Sequence, residues 1–127
     1  MNGKPIRVLL VEDDAGDARL FQAMLAREAQ DEFHLTRVVR LTEALGRLQS
    51  DGYDLILSDL GLPDSQGLLT FLRLNAQAPT LPIVVLSGLE DQDFAVKAMQ
   101  EGAQDYLVKG QVDGKILARS LRYAFER

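Results

Sequence analysis

The sequence predicts an α/β protein of the open, doubly wound kind, (βα)₅, with one five-stranded parallel sheet. Three observations point there. Short β-branched runs alternate with stretches patterned for helices; turn residues mark the changes; and the reactive polar groups fall where strands end. Ile6–Val11 is continuously apolar from Val8 onward, as a strand buried on both faces requires. Leu20, Phe21, Met24 and Leu25 then recur at helical spacing, and Phe33–Val39 reads as the second strand. Ala44, Leu45 and Leu48 mark a short helix that stops near Ser50-Asp51-Gly52. Leu55–Leu57, entered from Asp54, is the third strand, and Gly61-Leu62-Pro63-Asp64-Ser65 is turn chemistry.

Leu68, Phe71 and Leu72 give the next helical face, with Asp64 and Ser65 expected to open that helix. Pro82–Leu86 is the fourth strand, proline taking the first position, where no ladder donor is lost. Asp91 is the expected N-cap of a helix carrying Phe94, Ala95, Ala98 and Met99, and Gly102 its expected C-cap. Tyr106–Val108 is the fifth strand. Ile116, Leu117, Leu121 and Phe125 pattern a last helix, Lys115–Arg127, that ends without a glycine or proline stop signal. The Phe and Leu stripes are expected to form the core, and His34 to be a strand residue without chemistry. Right-handed crossovers leave few topologies open, and the order 2-1-3-4-5 is expected. In such sheets, ligands bind beyond the carboxyl ends of the strands, where the winding reverses between strands 1 and 3.

Composition narrows the function. The 127 residues suit one domain, 1–127, with one core. The chain has no cysteine and one histidine, so thiol chemistry, disulfides, a His-based metal site and a Ser/His triad all drop out. A net charge of −5 with scattered Lys and Arg gives no basic face for nucleic acid. No apolar run approaches a membrane span, Met1–Pro5 carries no signal-peptide core, and a cytoplasmic setting is expected.

The predicted carboxyl edge gathers Glu12-Asp13-Asp14, Ser58-Asp59, Ser87-Gly88 and Val108-Lys109-Gly110 from four strand ends. Asp13, Asp14 and Asp59 would crowd one another there, and like charges about 4 Å apart repel by roughly 4 kcal/mol at an effective dielectric near 20. Lys109 relieves part of that. An all-oxygen site suits Mg²⁺ (or Mn²⁺), which keeps several waters and needs one or two carboxylates. Asp59 beside such a cation and a lysine is a credible nucleophile toward a phosphoryl donor, with Ser87 supplying a hydroxyl to a phosphoryl oxygen. Taken singly, each residue has a commoner role: a solvated acidic turn, a cap, a turn serine, a surface lysine, an edge aromatic. Their joint placement at strand ends carries the functional reading.

The segments Val11-Glu12-Asp13-Asp14, Ser58-Asp59-Leu60-Gly61-Leu62-Pro63-Asp64, Leu86-Ser87-Gly88 and Asp105-Tyr106-Leu107-Val108-Lys109 resemble the receiver domains of bacterial response regulators, the CheY-like family, over essentially the whole chain. The resemblance implies Asp59 as phosphoacceptor, Asp14 as direct Mg²⁺ ligand, Asp13 as the acid holding the metal through water, and Gly61 as the backbone carbonyl ligand. It implies that Ser87 and Lys109 bind the phosphoryl group and that Tyr106 is an aromatic switch. It also implies a sensor histidine kinase or phosphotransfer protein as donor and a fused or separate effector as output. A homodimer through the face of helix 4, strand 5 and helix 5 is a further implied partner. Gly110 departs from the family's usual proline after the lysine, which implies a looser or differently bent loop. Gly61 and Leu89, two residues past Asp59 and Ser87, offer no side chain to orient an attacking water, so slow-to-moderate self-dephosphorylation is expected. Two other classes stand beside this reading. One is a phosphorylation-independent receiver-like scaffold, which usually lacks one of these residues. The other is a haloacid-dehalogenase-type phosphatase, which wants an acid where Gly61 stands.

Overall fold

The computed structural model describes residues 3–127; Met1 and Asn2, part of the expected run into the first strand, lie outside the described residues. Five parallel strands form one sheet: β1 (Ile6–Val11), β2 (Phe33–Val38), β3 (Leu55–Asp59), β4 (Ile83–Ser87) and β5 (Asp105–Val108). Their order is β2-β1-β3-β4-β5, with β2 and β5 on the edges, as expected. Residues 61–62 and 65–66 pair as a separate antiparallel ribbon around Pro63-Asp64.

Five α-helices cover the sheet: α1 (Ala15–Ala29), α2 (Leu41–Ser50), α3 (Leu68–Gln77), α4 (Gln92–Gln100) and α5 (Gly114–Glu126). Alternation along the strands decides which helices meet which residues. Val8, Leu10, Leu55, Leu57, Val84, Leu86 and Leu107 face α1 and α5, where Phe21, Leu25, Leu117 and Leu121 meet them. Leu9, Val11, Ile56, Ile83 and Val85 face the other way, onto Leu41, Phe71, Leu74 and Ala98 of α2, α3 and α4. Burial on both faces is why Val8–Val11, Leu55–Leu57 and Ile83–Leu86 read as unbroken apolar runs.

The helical stripes are only partly core. Leu20, Leu72, Phe94, Met99 and Phe125 are exposed, whereas Ala18, Leu74 and Ala124 are buried. Alanine sits where a helix backbone approaches the sheet closely, so hydrophobic bulk is a poor guide there. The C-cap of α4 is Glu101, and the expected Gly102 follows it: its φ of 117° suits glycine, and Ala103 N–H donates back to Ala98 O at 2.9 Å.

Asp91 is the N-cap of α4, as expected, but makes no side-chain capping bond; it closes a 3₁₀ turn over Leu89–Asp91. Asp64 does not open α3. Its two oxygens accept from Leu41 N–H (2.8 Å) and Thr42 N–H (3.0 Å), so it satisfies the first turn of α2 instead. Ser65 bonds Thr70 Oγ1 at 2.8 Å, and α3 starts from Gly67 at φ 67°. The ribbon displaces both residues from the helix start that their spacing suggested.

Candidate functional site

The carboxyl edge is assembled by register. Val11 pairs with Ser58, Asp59 with Leu86, and Ser87 with Val108. Glu12, Asp59, Ser87 and Lys109, distant in sequence, therefore finish at one level. Strand parity sorts them. Asp59 follows Leu55 and Leu57 toward the α1/α5 side, while Ser87 follows Ile83 and Val85 toward the α3/α4 side. Tyr106, paired with Val85, lies partly buried on that second side.

Lys109 is the hub. Its Nζ lies 2.6 Å from Asp59 Oδ2, 2.8 Å from Glu12 Oε1 and 3.0 Å from Asp17 Oδ2. The contacts to Asp59 and Asp17 are aligned hydrogen bonds. Glu12 Oε1 is close enough for an ion pair but off the axis of a hydrogen bond, and the fully buried atom is otherwise unpartnered. Glu12 Oε2 accepts from Asp14 N–H at 3.1 Å, and Asp59 Oδ1 from Gly61 N–H at 3.0 Å. Burial pushes the Glu12 carboxyl up to about 7, outweighing the pull of Lys109. Burial disfavours the Lys109 ammonium, yet hydrogen bonds to Asp59 and Asp17 and the close Glu12 carboxylate hold its pKa above the usual lysine range.

Carboxylate oxygens of Glu12, Asp13 and Asp59 lie within 4.8 Å of one another. Asp14 stands apart. Its Oδ1 accepts from Asp17 N–H at 2.9 Å and caps α1. The hydrogen bonds of that helix start, Asp17 N–H first, hold its carboxyl below the usual range. The acid pair that converges with Asp59 is thus Glu12 and Asp13, one residue earlier than the expected Asp13 and Asp14. The chain leaves β1 after Val11 and turns into α1 at Asp14, so the third acid of the run is spent on the helix. Arg37 of β2 braces this turn, donating to Glu12 O (2.9 Å) and Asp13 O (3.0 Å).

Ser87 is fully buried, and its Oγ has no hydrogen-bond partner among the described residues. A buried hydroxyl without a partner is unfavourable by about 1–3 kcal/mol. After Lys109, Gln111 N–H and Val112 N–H both donate to Val108 O, at 2.9 and 3.1 Å. Gly110 thus sits in a hydrogen-bonded turn rather than a loose loop.

Known proteins share this fold. Residues 8–120 match the sequence profile of the response regulator receiver domain. The chain belongs to the response regulator receiver domain family. It is 36% identical over 114 residues to the cell cycle transcriptional regulator CtrA of Caulobacter vibrioides, covering 90% of this chain and 48% of CtrA. It is 33% identical over 103 residues to the transcriptional regulatory protein KdpE of Staphylococcus aureus, covering 81% of this chain and 43% of KdpE. The chain therefore spans about half the length of these relatives, or less. The signal receiver domain of an HD domain-containing protein from Pseudomonas fluorescens superposes with a TM-score of 0.85 at 28% identity, over 99% of this chain and 90% of that one.

Within this receiver, the residues that sequence reasoning passed over are Glu12, Asp17 and Arg37. Glu12 stood inside the acidic run, and counting from the strand end rather than from the helix start would have picked it. Asp17 carried only the weak signal of an acid three residues past a helix cap. Nothing local marked Arg37.

Proposed function

We propose that this receiver works by phosphorylation of Asp59, with a divalent cation held by Glu12, Asp13 and Asp59. The observation that carries this reading is the 2.6 Å contact of Lys109 Nζ with Asp59 Oδ2 beside clustered acids. The donor set is all oxygen and crowded with negative charge, which fits Mg²⁺ or Mn²⁺; the Gly61 carbonyl would add a neutral oxygen ligand. Bound there, the cation offsets charge on the carboxylates and the transferring group.

A histidine kinase or phosphotransfer protein presents a phosphohistidine at the edge. An Asp59 carboxylate oxygen attacks phosphorus in line; the O–P bond forms as the P–N bond breaks, and the imidazole keeps the electron pair. Lys109 then shifts a donor from Asp59 Oδ2 to a phosphoryl oxygen. The Ser87 hydroxyl gains the acceptor it lacks, drawing in the loop after β4. Tyr106, on the same side of the sheet as Ser87, follows, and the surface of α4, β5 and α5 shifts population between two packings. That surface contacts an effector, fused or separate, or a second copy. The chain turns over no external substrate; it takes one phosphoryl group and loses it to water.

Residues 1–127 act as one receiver unit in the cytoplasm; among the described residues, no helix is long and apolar enough to cross a membrane. Incubating the chain with Mg²⁺ and a radiolabelled phosphodonor should label wild type at one site and leave Asp59→Asn unlabelled and folded. Label persisting in Asp59→Asn would sink the assignment. The same preparation times phosphoryl loss: with Leu89 exposed and Gly61 bare, the label should outlast a few seconds.

A further inference from the structure

Asp17 is the one partner of Lys109 that the phosphoacceptor reading leaves without a role. It lies in the first turn of α1, outside the group formed by Glu12, Asp13 and Asp59. Its side chain is 36% exposed, whereas that of Glu12 is fully buried and that of Asp59 nearly so, at 12%. An ammonium has three N–H donors, and here three carboxylates draw on them, at 2.6, 2.8 and 3.0 Å.

Resting on that reading, we propose that Asp17 is a positioning residue that competes with the phosphoryl group for Lys109 and so destabilises the phosphorylated state. When Asp59 is esterified it loses its charge, and the N–H on Oδ2 is released. Three phosphoryl oxygens then bid for the lysine. Glu12 is fixed in place by burial and by Asp14 N–H. Asp17 keeps a full carboxylate on the ammonium, holding it toward α1 and repelling the incoming dianion. Because Asp17 is partly exposed, water can replace the lysine there, so the competition is graded rather than absolute. Asparagine at 17 would keep an acceptor oxygen for Lys109 and remove the charge.

The test is a titration of beryllofluoride at saturating Mg²⁺, followed by amide NMR signals near Ser87, in wild type, Asp17→Asn and Asp14→Asn. Asp14→Asn removes the same charge nearby, keeps a capping side chain, and does not touch Lys109. Asp17→Asn should bind about threefold to fivefold tighter, the scale of a partly exposed ion pair, while Asp14→Asn stays close to wild type. Equal affinity in wild type and Asp17→Asn, with or without a change in melting temperature, overturns the inference alone. The same tightening in both variants also overturns it, because long-range charge would then suffice. A wild type that takes up no beryllofluoride overturns the phosphoacceptor reading and this inference with it.

Discussion

At the scale of single residues, the edge is held by an imbalance. Three carboxylates contact one lysine, and Asp13 adds a fourth charge to the cluster. Without a cation, a retained proton would relieve that repulsion, and Glu12, the most buried acid, is the carboxyl that burial pushes up. Its carboxyl goes from an ordinary 4.5 to about 7 on folding. The folded state therefore binds this proton more tightly than the unfolded chain. The associated stability is fully present below about pH 4.5 and lost as pH rises through about 7. Urea melts of metal-free protein across that window should show stability falling toward neutral pH, and Glu12→Gln should flatten the trend. A wild-type curve that rises with pH, relative to Glu12→Gln, would contradict the buried-proton account.

At the scale of elements, the ribbon at residues 61–66 joins parts of the fold that the sequence presents as separate. Asp64 reaches back to the first turn of α2, and Gly67 N–H and Thr70 Oγ1 both bond Leu60 O, fixing the chain just past Asp59. Asp64→Ala should lower stability by about 1 kcal/mol, the usual worth of a helix cap. Amide exchange should speed up at Leu41 and Thr42 more than elsewhere. Unchanged protection at those two amides would mean that water caps α2 equally well. At the far end of the molecule, Arg122 of α5 forks onto Glu32, at 2.6 and 2.7 Å. It ties the last helix to the turn before β2, away from the carboxyl edge of the sheet.

At the scale of the whole molecule, the sheet divides the edge residues between two layers. Asp59 faces the α1/α5 side, whereas Ser87 and Tyr106 face the α3/α4 side. A cation bound only by the folded edge stabilises the whole domain by mass action. At 100 times its dissociation constant, this amounts to about 2.7 kcal/mol. Mg²⁺ should accordingly raise the melting temperature of wild type in a saturable way, and Glu12→Gln should blunt the rise. An equal rise in both proteins would place the cation elsewhere.

The sequence by itself determined the five strands, the buried character of the inner three and the meeting of Asp59, Ser87 and Lys109 at one edge. Apolar runs and turn residues are local signals, and the carboxyl-edge rule converts chain position into spatial position. Tertiary structure alone decided which acids join Asp59. Glu12, Asp13 and Asp14 are chemically alike in sequence, but the turn from β1 into α1 commits Asp14 to a helix cap and buries Glu12. It also decided that Asp64 serves α2, that Arg37 braces the acidic turn and that Asp17 reaches Lys109. Those contacts span from 22 to 92 positions in the chain, so only packing brings the partners together.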